Sequence, residues 1–174
     1  MRLVRYNVAA SLDGYIAAAD GGYDWIPNDS TVDFGALFAN VDTVLLGRHS
    51  YELTRGIGQV AWPAGSRVYV FSSTLRQREH PGVTVVNDHA GAVVDALRNE
   101  PGTGDIWLFG GGRLFSSLLA AGQVDRVEVT TVPVLLGGGI PLSVPGTPQT
   151  TLRLRETRRY DSGMVTLNYD VVRR

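Results

Sequence analysis

The stretch that most constrains this chain is Asp105-Ile106-Trp107-Leu108-Phe109, which runs straight into Gly110-Gly111-Gly112-Arg113-Leu114-Phe115. The first five residues form a short apolar run suited to a buried strand. Leu114, Phe115, Leu118 and Leu119 then recur on one helical stripe. A strand that passes through three glycines into a helix belongs to an α/β sheet. Its helix N-terminus offers bare main-chain N–H groups, the helix dipole favours an anion there, and no side chain holds a phosphate away. A tight strand-to-helix turn is the alternative reading of the same residues.

Two more strand ends offer related chemistry. Leu45-Leu46 leads to Gly47-Arg48-His49-Ser50-Tyr51-Glu52, and Val70-Phe71 leads to Ser72-Ser73-Thr74 with Arg76 and Arg78 beyond. Taken singly, the first reads as a helix start with surface charges and the second as a polar loop. Together with the triple glycine they make three phosphate-competent strand ends, and in open α/β sheets such ends gather at one crevice. Hydroxyls and guanidiniums suit a dianionic phosphate such as the 2′-phosphate of NADP. Gly137-Gly138-Gly139 differs, because no helix pattern follows it, and it reads as a structural or pocket-wall loop.

The remaining pattern is that of a mixed sheet. Strands are expected at 2–10, 43–47, 67–71, 83–86 and 105–109, and helices at about 31–39, 48–54, 89–98 and 113–121. From residue 125 the pattern becomes alternating, at 125–131, 151–160 and 164–172. Asp161-Ser162-Gly163 supplies a turn between the last two runs, so they read as an antiparallel hairpin. A sheet that is mostly parallel and closes on such a hairpin is not a Rossmann domain, whose glycine fingerprint follows the first strand.

Composition narrows the chemistry. The 174 residues fit one domain, 1–174, and contain no Cys, which removes disulfides, thiolate metal sites and a cysteine nucleophile. All 16 basic residues are Arg, so Schiff-base chemistry and a Walker-type loop, both of which need an amine, are excluded. A net charge of −1 argues against a nucleic-acid partner. His49, His80 and His89 lack metal-ligand spacing, so no metal is expected. With no signal-peptide pattern and no run long enough for a membrane span, a soluble cytoplasmic protein is expected.

The motifs Ser11-Leu12-Asp13-Gly14-Tyr15-Ile16-Ala17, Trp25, Leu46-Gly47-Arg48-His49-Ser50-Tyr51-Glu52, Ser72-Ser73 and Gly110-Gly111-Gly112 resemble the dihydrofolate reductase-like superfamily. The segment from Gly110 through Leu118-Leu119-Ala120-Ala121-Gly122-Gln123-Val124-Asp125 to Pro133-Val134-Leu135-Leu136-Gly137-Gly138-Gly139-Ile140-Pro141-Leu142 is closer to one branch. It is similar to the C-terminal reductase domain of the bifunctional riboflavin-biosynthesis deaminase-reductase, here as a stand-alone member.

The resemblance implies an α/β fold with a mixed, mostly parallel sheet, flanking helices and NADPH bound in extended form across strand ends. Gly47, Arg48, Ser50, Ser72 and Ser73 would hold the adenosine 2′-phosphate end. Gly110, Gly111, Gly112, Arg113 and Leu114 would hold the pyrophosphate, and Ala9, Ile16 and Ala17 would line the nicotinamide. The implied reaction is NADPH-dependent hydride transfer to a small heterocyclic or ribosylaminopyrimidine-type substrate, as in 5-amino-6-(5-phosphoribosylamino)uracil reduction. Dihydrofolate reduction and non-catalytic NADPH binding are the alternatives. By the same analogy the chain would form a homodimer.

Hydride transfer needs a proton from elsewhere, and Asp13, Asp29 and Asp33 are the candidate acids. Each has a structural alternative, as a turn residue or in a first helical turn. Dihydrofolate reductases carry a carboxylate on the helix after the Trp; in this chain that position falls near Ser30, with Asp29 and Asp33 displaced from it. The deaminase half of the riboflavin enzyme has no counterpart here, since its zinc site needs cysteines.

Overall fold

The computed structural model describes residues 1–56, 62–101 and 104–173. Its first strand, β1 (Val4–Ser11), is followed by the short β2 (Tyr15–Ala17), α1 (Phe34–Phe38), β3 (Val41–Gly47), α2 (Arg48–Gly56), β4 (Arg67–Phe71) and β5 (Thr84–Val86). Then come α3 (Ala90–Asn99), β6 (Asp105–Gly110), α4 (Gly112–Ala120), β7 (Arg126–Val132), β8 (Ile140–Pro141), β9 (Leu152–Arg159) and β10 (Val165–Val171). Eight strands form one sheet in the order β5-β4-β3-β6-β1-β7-β10-β9, while β2 and β8 pair separately. The pairs from β5 to β7 are parallel, and β10 runs antiparallel to both β7 and β9. The C-terminal hairpin turns where its sequence predicts, with Gly163 N donating to Tyr160 O at 3.0 Å.

Strand alternation explains which residues face which layer. Val4, Tyr6, Leu45, Ile106, Leu108 and Val127 point to one side, against Val94 and Leu97 of α3 and Leu114, Phe115 and Leu118 of α4. Tyr6 stacks on Phe115 with ring centroids 4.0 Å apart. Val44, Leu46 and Trp107 point to the other side, against Phe38 of α1 and Tyr51 of α2. A smaller cluster on that second face joins Val132, Tyr160 and Met164 to Ala9, Trp25, Ile26 and Val32. At about 2 kcal/mol for each large aliphatic side chain fully buried, these layers supply the main drive for folding.

Two sequence expectations change. The helix expected at 31–39 is only Phe34–Phe38, because Asp33 caps it by accepting from Ala36 N at 2.9 Å and Val41 then enters β3. The β2–β8 pair was not expected; its strands have three and two residues, too few to show a period.

At the N-terminal ends of the parallel strands, the buried Arg2 guanidinium bonds Asp42, Thr43 Oγ1 and the carbonyls of Leu97 and Gly104. Arg98 meets Asp125 at 2.7 Å nearby. This end is closed by buried ion pairs, which leaves the carboxyl ends of the strands to carry a site.

Candidate functional site

The sheet splits at its centre. β1 pairs with β6 only from Val4↔Ile106 to Tyr6↔Leu108. Beyond that point β1 stays with β7 as far as Ser11↔Val132, and β6 stays with β3 as far as Leu46↔Gly110. The two halves part after Tyr6 and Leu108, freeing main-chain groups of Asn7–Ala9 and Phe109 from each other. One of these, the Asn7 carbonyl, accepts from the Trp107 indole Nε1 at 3.2 Å. A split at the carboxyl ends of parallel strands is where α/β sheets bind ligands.

Gly47, Ser50, Gly110 and Gly111 of the predicted set come together beside this split. A methyl built on Gly111 would lie 3.6 Å from Ser50 Oγ and 4.0 Å from Ile16 Cδ1, and one on Gly47 would lie 3.6 Å from Gly110 O and Gly111 N. The β6–α4 junction therefore lies against both the β3–α2 junction and β2. α4 starts at Gly112 with Gly111 as its N-cap and no side chain capping its first turn. Its first N–H groups, including those of Arg113 and Leu114, are the donors such a turn leaves over. Arg113 is exposed and Leu114 is buried behind it.

The glycines are not equivalent. Gly112 and Gly139 are demanded by packing, since an added Cβ would run into the carbonyl of Pro141 in the first case and of Ala17 in the second. This close approach places β8 on the start of α4 and Gly139 against the end of β2. Gly47 is different: its backbone angle suits alanine, and an added methyl would make only ordinary contacts. Protein packing does not require glycine at Gly47, whereas a ligand lying against its backbone would. That fits the residues present to a dinucleotide.

One strand further along, Arg48 Nη1 donates to Thr74 Oγ1 at 2.7 Å, and Arg48 Nε pairs with Glu52 at 2.7 Å. Ser72 Oγ accepts from Thr74 N and Leu75 N at 3.3 and 3.2 Å, so it serves the turn, while Ser73 is exposed. Thr74, whose hydroxyl holds Arg48, belongs with this group. Ile16 is half-buried at the mouth; Ala17 is buried with its carbonyl against Gly139; Ala9 is half-buried beside Trp25.

The three acids are not brought together. Asp13 accepts from Ser11 Oγ at 2.6 Å, Leu136 N at 3.1 Å and Gly137 N at 2.8 Å, so it pins the glycine loop to the β1–β2 turn. The Ser11 bond first, and then the two main-chain bonds, hold its carboxyl below the usual range. Asp29 accepts from Ser162 N at 3.0 Å and from Thr31, tying the segment after Trp25 to the β9–β10 turn. Bonds from Ser162 and then Thr31 hold its carboxyl far below the usual range. Asp33 caps α1.

A feature that sequence reasoning missed lies at the floor of the split. Glu128 of β7 is buried at 4% exposure and takes Arg5 Nε at 2.8 Å, Arg5 Nη2 at 2.9 Å and Asn7 Nδ2 at 2.8 Å. The alternation at 125–131 put Glu128 on one face of the strand but gave no sign that this face carries a buried charge.

The chain matches the family profile described as RibD C-terminal domain over residues 2–166. It is 34% identical to the uncharacterized protein YwjB of Bacillus subtilis over 165 residues, covering 93% of this chain and 94% of that one. It is 30% identical to the riboflavin biosynthesis protein RibD of Mycobacterium tuberculosis over 152 residues, which are 79% of this chain and 44% of RibD. A crystal structure from Shewanella sp. PV-4 superposes with a TM-score of 0.83 at 28% identity, covering 99% of this chain and all of that one. The fold is the dihydrofolate reductase-like one that RibD reductase domains share, and among the described residues no helix is long and apolar enough to cross a membrane. From residue 2 to residue 166, then, this chain is a member of the RibD C-terminal domain family.

Proposed function

We propose that this protein is a cytoplasmic NADPH-dependent reductase that transfers hydride to a ribosylaminopyrimidine-type heterocycle, with 5-amino-6-(5-phosphoribosylamino)uracil as the first candidate. The observation that carries the reading is the parting of β1 and β6 after Tyr6↔Leu108, beside Gly47, a glycine that packing does not require. Bound NADPH would supply the hydride.

The chain's own part is to bind, orient and exclude water. Arg48, held by Thr74, faces the region of Ser73 and suits a 2′-phosphate. The first turn of α4, entered through Gly110 and Gly111, suits a pyrophosphate. Ala9, Ile16 and Ala17 wall the split for the nicotinamide, and Gly139 closes β8 against Ala17. Asp13, Asp29 and Asp33 act by holding the loops around the split: Asp13 and Asp29 are kept ionised by several donors and are poor proton donors, and Asp33 is engaged in capping α1. The proton then reaches the substrate from water.

A homodimer through the outer hairpin is part of the same reading. All eight residues of β9 are exposed, and Leu154 and Leu152 lie in register with Tyr169 and Val171. An uncovered apolar strip on a long edge strand favours pairing with a second copy.

Titration of NADPH and NADH by cofactor fluorescence tests the premise, and oxidation at 340 nm with 5-amino-6-(5-phosphoribosylamino)uracil and dihydrofolate tests the reaction. Preferential NADPH binding and turnover of the pyrimidine are expected. Equal affinity for both cofactors would overturn the 2′-phosphate assignment.

A further inference from the structure

Asn7 is the first residue of β1 past its last pair with β6, and it lies on the sheet face opposite α4, two residues before Ala9. Its side chain therefore sits at the floor of the split. An asparagine carboxamide can offer either a donor or an acceptor, and what lies beside it decides which. Here a carboxylate, which can only accept, takes Nδ2 at 2.8 Å. Arg5 grips the same carboxylate with two nitrogens, and Asp105 accepts from Arg5 Nη1 at 3.3 Å, so the carboxylate is fixed in its turn. The Asn7 amide is locked with Oδ1 turned away from Glu128, and among the described residues no protein donor reaches Oδ1.

The surroundings of Asn7 are polar where the rest of this sheet face is apolar. The cluster around Trp107 ends on one side of it and the cluster around Tyr160 on the other. Between them Thr130 and Thr166 share a hydroxyl bond of 2.7 Å, and Thr166 reaches Tyr160 OH at 3.2 Å. Asn168, opposite Glu128 in the ladder, has a buried Oδ1 with no partner. Asn7 is only half-buried, so with Nδ2 held by Glu128 its Oδ1 is left as an acceptor open to whatever enters the split.

Resting on the reductase reading above, we infer that Asn7 Oδ1 is the specificity-determining acceptor of the substrate pocket, with Glu128 and Arg5 as its positioning residues. It selects a neutral planar heterocycle that presents a ring N–H at the floor of the split. A ring whose N–H positions are methylated leaves Oδ1 unpaired and is rejected.

The test uses the protein saturated with NADP⁺ and two probes, 5,6-diaminouracil and its 1,3-dimethyl derivative, titrated by calorimetry. The wild type is expected to bind the free ring about tenfold tighter than the dimethyl ring, the effect of one buried hydrogen bond. Asn7→Leu, which keeps the volume and removes the acceptor, is expected to reduce that preference to about twofold or less. Glu128→Gln releases the lock and should erode the preference while both rings still bind. Thermal melting of each variant checks folding, and Asn7→Leu leaves the buried Arg5–Glu128 pair intact. A preference that survives in Asn7→Leu overturns the inference. So does a wild type that binds NADP⁺ but neither ring, or both equally. Failure to bind NADP⁺ itself, read by the same calorimeter in the preceding titration, would instead overturn the reductase reading and the inference with it.

Discussion

Arg48 and Thr74 stand 26 positions apart in sequence and share a 2.7 Å hydrogen bond across the ends of β3 and β4. The bond preorganises a guanidinium at the edge of the crevice, where it is still half exposed. Arg48→Ala should therefore weaken NADPH binding by about 10- to 100-fold, as expected for a charge-assisted contact of 1.5–3 kcal/mol, and should change NADH binding by less than about twofold. Parallel fluorescence titrations of the two cofactors measure this. An equal loss for both would make Arg48 a support for α2 only.

The glycines allow a test that separates fold from ligand. Gly47→Ala adds a methyl to ordinary contacts at 3.6 Å, so the melting temperature should stay within a degree or two or rise slightly through the unfolded state. NADPH affinity should nevertheless fall by about tenfold or more, since the methyl occupies the approach to the backbone. Gly112→Ala should do the opposite. It forces the start of α4 off Pro141 and should cost about 1–3 kcal/mol of stability, with any loss of affinity following from that.

Much of this was legible in the sequence because it is local. The strand-to-glycine-to-helix junctions at 47 and 110 and the strand-to-hydroxyl junction at 72 are written in consecutive residues. What could not be read is long-range. Thr74 holds Arg48 only because β3 and β4 are neighbours, and Asp13 meets Leu136 and Gly137 across 123 and 124 positions. Asp-Gly at 13–14 reads as a turn, with an acid beside a pocket as the other reading, and only the folded chain shows both of its oxygens engaged. The Arg5–Glu128–Asn7 group was invisible for the same reason, since two of its members lie on β1 and the third on β7.

Asp29 makes a pH-dependent contribution whose sign follows from its environment. Its carboxyl is held below the ordinary value by Ser162 and Thr31, so the folded state binds a proton less readily than the unfolded one. The stabilisation is fully present above the unfolded aspartate value near 3.9 and is lost as pH falls through the lower folded value. Asp29→Asn should thus lower the melting temperature by a constant amount from pH 8 to pH 5. The gap to wild type should close as the pH is taken below about 4. A gap that widens on acidification would show that Asp29 is not ionised in its clamp.

The outer hairpin gives the prediction that bears on assembly. Leu154 is 53% exposed on the same face as Tyr169, opposite the side on which Arg153 and Arg155 pair with Asp170. Arginines on one face and leucines on the other give β9 a polar side toward solvent and an apolar side suited to a matching copy. If that face is the dimer contact, Leu154→Arg places a like charge opposite itself across a two-fold axis and should turn a dimer into a monomer at micromolar concentration. Light scattering after gel filtration reads the mass directly. The melting temperature of the variant should fall with dilution less steeply than that of the wild type, because only the dimer gains stability from mass action. A wild type that runs as a monomer at every concentration would remove the hairpin from the assembly and leave β9 as a simple edge strand protected by its arginines.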